Sequence, residues 1–268
     1  MTYQSQYSLE SMIGYQGSSA AIPLFQQSIY DRESLGASFH SNQPLLLYEG
    51  GNRLLEVYNL DAYSPTVNAH KPKQYFSPDP FLRADRPATR FIGDAAEIQE
   101  AVEHTFQKLL GASLPTNIEI RVLQRAQFKE QHEQFGAGWS EGIQGFSINR
   151  HGFGASLIFL KQNDLDKVLV TTGHELGHVL SFTLPDAVSE EAKAFAFEQA
   201  WLQTLVENDI EGMAANILLQ PMVPAKNGLH DKAWAFVKQS LNNSIQSGKQ
   251  ALSLFSRLST LEVRANAA

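Results

Sequence analysis

Along the chain the period of apolar and polar positions changes several times, and each change marks an element. "PLLLYEGGNRLLEVYNL" (44–60) reads as two strands folded about Gly50, Gly51 and Asn52, a hairpin pattern. Pro65, Pro72, Pro78, Pro80 and Pro87 follow and predict an extended connector. A boundary is therefore expected near residue 90, dividing an N-terminal region (1–90) from the rest of the chain (91–268). Asp94, with Glu97 three residues on, has the pattern of a capping box. Ile98, Val102, Phe106, Leu109 and Leu110 then recur at helical spacing until Gly111 can end the helix. "IEIRVL" (118–123) alternates as a half-buried strand does, and a short polar helix is expected through Phe135. After the loop "GAGWSEG", "IQGFSINR" (143–150) and "ASLIFLKQ" (155–162) read as strands around the turn His151 to Gly154.

These strands lead into "LVTTGHELGHVLSF" (169–182). Asn163 or Asp164 can cap a helix running to about Phe182, with apolar faces from Leu165, Val168, Leu169, Leu176, Val179 and Leu180. Pro185 stops it, Asp186 to Ser189 form a turn, and a second helix starts near Ser189. The last stretch, with Trp234, Val237, Leu241, Ile245, Leu252 and Phe255, predicts one or two more helices. The order of elements gives an α+β fold.

Composition narrows the chemistry. The 268 residues are 43% hydrophobic, enough for a sizeable core, and the net charge of −7 comes with no basic stripe. Nucleic acid is therefore not an expected partner. No apolar run approaches a membrane span, and the N-terminus lacks the basic and apolar regions of a signal peptide, so a cytoplasmic location is expected. Without cysteine there are no disulfides and no thiolate ligands, which leaves histidine and carboxylates to hold any metal.

The pattern H-E-x-x-H is where such a metal is expected. His174 and His178 stand four apart and share a helix face, so both rings can reach one tetrahedral Zn²⁺ at roughly 2.0–2.1 Å. Gly177 leaves room beside the second histidine for another segment or a substrate. Glu175 projects about a hundred degrees around the helix, away from the ligand positions yet near enough to act on water as a base. Zinc lowers the pKa of its water to about 7, which suits hydrolysis of an amide. A catalytic zinc takes three protein ligands. The metzincin pattern is excluded, because Ser181 and Leu184 stand where its glycine and third histidine would be. Glu190, Glu191 and Glu198 on the next helix are the candidates, although Glu190 and Glu191 also favour a helix N-terminus electrostatically.

"HELGHVL" followed by "EEAKAFAFE" resembles the gluzincin branch of the zincin metallopeptidases, and most nearly the ImmA/IrrE-type pattern H-E-L-G-H with E-A-x-x-F-A. The resemblance covers about thirty residues. It implies a zincin-like catalytic domain over 91–268, a small mixed sheet on the active-site helix and a helical C-terminal half. It makes His174, His178 and Glu191 the zinc ligands and Glu175 the general base. Gluzincin-like enzymes often stabilise the developing oxyanion with a downstream His or Tyr. His230 is the candidate here, beside the plainer role of capping the helix near Asp231; Tyr58 and Tyr63 are weaker alternatives. The implied function is a zinc metallopeptidase acting on a protein or peptide laid along an edge strand, either of the two strands before the helix. The other reading is a zincin-fold regulatory or interaction protein that binds zinc without turnover.

Overall fold

The computed structural model describes residues 75–135, 139–221, 228–241 and 248–260, together with the backbone of two short strands nearer the N-terminus. Those strands, β1 (Tyr48–Glu49) and β2 (Arg53–Leu54), pair antiparallel with Tyr48 opposite Leu54, within the stretch that the pattern marks as a hairpin. Tyr58, Tyr63, Pro65, Pro72 and Ile245 lie outside the described residues.

The architecture is mixed α+β. Asp94 and Glu97 form the capping box, and it caps a 3-10 turn, Ala95–Glu97, that leads into α1 (Gln99–Leu110). Gly111 ends α1 in the left-handed conformation, at φ +70°, which a side chain would strain. The main sheet has three strands in the order β4-β6-β5. β4 (Ile118–Leu123) runs parallel to β6 (Ser156–Lys161), and β5 (Gly145–Ile148) pairs antiparallel on the other side, so the sheet is mixed. α2 (Arg125–Gln134) connects β4 to the rest. β3 (Phe91–Ile92) pairs with β7 (Asn163–Asp164) immediately before α3 (Leu165–Val179). α4 (Ala187–Glu207), a 3-10 segment (Ile210–Ala215), α5 (Leu229–Ser240) and α6 (Gly248–Ser259) complete the helical half. No helix among the described residues is long and apolar enough to cross a membrane.

Strand alternation divides the core. Ile158 and Leu160 of β6 face α3 and the main hydrophobic core, while Phe159 between them faces a second cluster with Phe128, Ile143, Phe146 and Ile148. Phe76, Phe81 and Leu82 also belong to the main core, so the last part of the proline-rich connector packs with the helical half. Leu82 forms a β-bridge with Ile217, and Arg86 Nε donates to buried Asp166 at 2.6 Å. Asp166 lies in the first turn of α3 and also accepts from Asn216 Nδ2 at 3.2 Å. The connector and the 3-10 segment are thereby tied to the start of the helix that carries H-E-x-x-H.

α3 is shorter than the pattern predicts, ending at Val179 rather than near Phe182. The cause is Asn149, whose amide donates to the carbonyls of His178 (2.8 Å) and Ser181 (2.6 Å). It satisfies carbonyls that a longer helix would have used. α4 starts at Ala187, two residues earlier than expected, because Asp186 is its N-cap and accepts from Ser189 N at 2.7 Å.

α3 and α4 touch nearly backbone to backbone. A Cβ on Gly177 would lie 2.7 Å from Ala194 Cα and 2.8 Å from its carbonyl oxygen. The neighbouring segment that the glycine admits is therefore α4. Gly177→Ala would regain about 1 kcal/mol of helix propensity, but it forces two backbones apart, an overpacking that costs about 1–3 kcal/mol. The expected result is a net loss of about 1 kcal/mol in urea unfolding, with unchanged m-value; equal or greater stability would show that the helices separate freely.

Candidate metal centre

Three helices build the site. α3 presents His174, Glu175 and His178, and α4 crosses it carrying Glu190, Glu191 and Glu198. α5 adds His230 in its first turn. None of these groups is a surface residue: His174, Glu191, Glu190, Glu198 and His230 are 0% exposed, Glu175 2% and His178 8%. The plainer reading of His230 as a surface cap is thus overturned.

The three carboxylates of α4 divide between the two sides of the imidazoles. His174 Nδ1 lies 3.1 Å from Glu198 Oε2, and His178 Nδ1 lies 2.8 Å from Glu190 Oε1. Each of these carboxylates fixes a ring and leaves its Nε2 pointing elsewhere. Those Nε2 atoms meet at Glu191. Its Oε2 stands 3.2 Å from His174 Nε2, 3.1 Å from His230 Nε2 and 3.8 Å from His178 Nε2.

The chemistry of this set fits a metal ion. His174 Nε2 and both oxygens of Glu191 are buried, yet none makes a hydrogen bond, because the close approaches have the wrong angles. A buried polar group without a well-formed hydrogen bond costs about 1–3 kcal/mol, and more when charged. Tetrahedral zinc bonds of about 2.0–2.1 Å put neighbouring ligand atoms about 3.3–3.4 Å apart, close to the 3.1 and 3.2 Å seen here. His174, Glu191 and His230 offer ligand atoms that all lie within 4.8 Å of one another, a buried group that can hold a metal ion.

Electrostatics explains why so many charges tolerate one another. Burial pushes Glu191 up, but His230, His178 and His174 together outweigh it and hold the carboxyl well below the usual range. Burial drives His174 down to about 4, despite Glu191 beside it. His178 resists burial because Glu191 and Glu190 lift it to about 9. Burial, with Glu175 and Glu191 nearby, keeps Glu198 well above the ordinary carboxylate value. A cation held by His174 Nε2 would leave the ring proton on Nδ1, where Glu198 Oε2 is placed to accept it.

Glu175 turns away from the ligand atoms and toward β5. Burial raises it to about 7, against the opposing pull of His178 and a hydrogen bond with the side chain of Ser147. Gly145 faces the same carboxylate, and a Cβ there would come within 3.1 Å of Glu175 Oε1. β5 is an outer strand of the three-stranded sheet and β6 is central, so of the two strands before α3 only "IQGFSINR" offers an edge.

Several supporting residues carry no motif. Glu190 Oε2 accepts from Leu184 N at 2.7 Å and faces Lys193 Nζ at 2.9 Å. Lys193 in turn donates to Phe182 O at 2.8 Å, so one buried carboxylate steadies both His178 and the α3–α4 turn. The ring of Phe76 stacks on His174, with centroids 4.0 Å apart. The signal for Glu190 and Glu198 lay in their i, i+8 placement about Glu191 on one helix, whereas nothing local marks Phe76, Asn149 or Ser147.

No protein-family model, curated protein or solved structure matches the chain. Glu198→Gln and Glu190→Gln are each expected to weaken metal binding by about 10–100-fold, read by competition with a chromophoric chelator. Unchanged affinity in both would reduce these carboxylates to packing.

Proposed function

We propose that the chain is a zinc-dependent metallopeptidase with a zincin-like catalytic domain. The observation that carries this reading is the meeting of imidazole nitrogens on a buried Glu191 carboxylate that makes no well-aligned hydrogen bond, with a second carboxylate, Glu175, on the helix that carries His174 and His178. In this reading His174, His178 and Glu191 hold the metal. Bound there, zinc would supply a Lewis acid for the scissile carbonyl and an acidified water with pKa about 7.

The chain's own groups account for the proton transfers. Glu175, raised to about 7 by its burial, is poised to take a proton near neutral pH. It removes the proton from water as the water oxygen bonds to the carbonyl carbon. It returns that proton to the amine nitrogen as the C–N bond breaks. Ser147 and the space left by Gly145 hold the carboxylate at the sheet edge. An extended peptide adding to the edge of β5 would bring its carbonyl past Glu175, and main-chain hydrogen bonding gives such a site breadth of sequence.

The second reading, a zinc-binding protein without turnover, draws on one observation. His174, Glu191 and His230 are sealed from solvent, as structural metal sites commonly are. Glu175 separates the two readings, because a purely structural site needs no base. Glu175→Gln is expected to keep its zinc and to lose about 10²–10⁴-fold in hydrolysis of an unfolded protein substrate. Equal hydrolysis by the variant, or none by the wild type at any pH with zinc bound, would contradict the peptidase reading.

A further inference from the structure

The structure gives His230 a place that the sequence pattern does not. As a donor to the substrate's developing oxyanion, its Nε2 would stand off from the ligand atoms by the width of a bound carbonyl group. Instead it lies 3.1 Å from Glu191 Oε2, nearer than His178 Nε2 at 3.8 Å and matching His174 Nε2 at 3.2 Å. The three closest ligand atoms thus include His230.

Its position is well fixed. His230 sits in the first turn of α5 and is fully buried. Phe195 meets its ring edge-on, with centroids 5.9 Å apart, and meets the ring of His174 in the same manner at 5.0 Å. One phenyl ring on α4 therefore sets the spacing of two imidazoles that come from different helices. One turn further along α5, Trp234 packs against Phe81 and Phe195, and its Nε1 donates to Pro221 O at 3.2 Å. This is the rigid support that a ligand requires.

We propose that His230 is a metal ligand in the resting protein, forming with His174 and Glu191 the group whose ligand atoms lie within 4.8 Å of one another, and that His178, 3.8 Å from Glu191, moves in on the ion as the fourth donor. The proposal rests on the zinc reading above and extends it. A catalytic zinc ordinarily keeps its fourth position open, so a substrate carbonyl can enter here only when His230 yields its place. The centre is closed at rest and opens in each turnover, as the substrate carbonyl displaces His230; the ring of Phe76 stacked on His174 covers the same centre.

The test uses the full-length chain with cobalt(II) in place of zinc, and acetohydroxamate as a small competing ligand. The wild type should show the intense visible absorption of a four-coordinate centre and should not respond to acetohydroxamate. His230→Ala and His230→Gln should bind zinc at least about 100-fold more weakly, beyond the usual effect of an outer-shell change. Their cobalt spectra should shift when acetohydroxamate is added. A wild-type spectrum that is five-coordinate, or that shifts as readily as the variants', overturns the proposal, even if the variants do not fold. Variants that bind zinc as tightly as wild type also overturn it while leaving the metallopeptidase reading standing. A wild type that binds neither metal removes both.

Discussion

The structure depends on a carboxylate buried among imidazoles. Glu191 is sealed from water, its oxygens make no hydrogen bonds, and nitrogens from two helices approach one of them. A lone carboxylate in such a place is so costly that it would ordinarily take up a proton. Here it stays ionised, because the surrounding histidines outweigh its burial. The polar centre is one in which each group is tolerable only because the others are present. A cation at the meeting point would turn this balance of repulsion and attraction into bonds.

Holding such a centre together requires close backbone approach, and the sequence provides it at few positions. Gly177 lets α4 come against α3 beside His178, and Gly173 faces the ring of Trp201, whose Nε1 donates to Leu169 O at 3.0 Å. With the helices this near, short Glu side chains on α4 reach both edges of the histidine rings. Glu190 also braces the turn between the helices through Leu184 and Lys193. At the other end of α3, Asp166 anchors Arg86 and Asn216. α3 is thus fastened at its start by an ion pair and at its end by Asn149 and Glu190.

Much of this was legible in the sequence where the governing interaction is local. The capping box at Asp94 and Glu97, the alternation of "IEIRVL" and the helical H-E-x-x-H all depend on residues a few positions apart, and each has its counterpart in the structure. Glu191 is favoured among three carboxylates by its place at the start of the returning helix and by the resemblance. What divides it from Glu190 and Glu198 is the crossing of α3 and α4, which no spacing along the chain encodes. The end of α3 was misjudged because the deciding amide, that of Asn149, comes from the turn after β5. His230 was visible as the one histidine after His178, but its nearness to Glu191 depends on how α5 returns over α4.

The direct test of the metal centre is zinc content, measured by mass spectrometry on full-length protein purified without added metal, for wild type, His178→Ala and Glu191→Ala. Near-stoichiometric zinc in the wild type and little in either variant is the expected result. A wild type without zinc, even after dialysis against it, would contradict the metal centre and leave these histidines and glutamates as a buried ionic cluster.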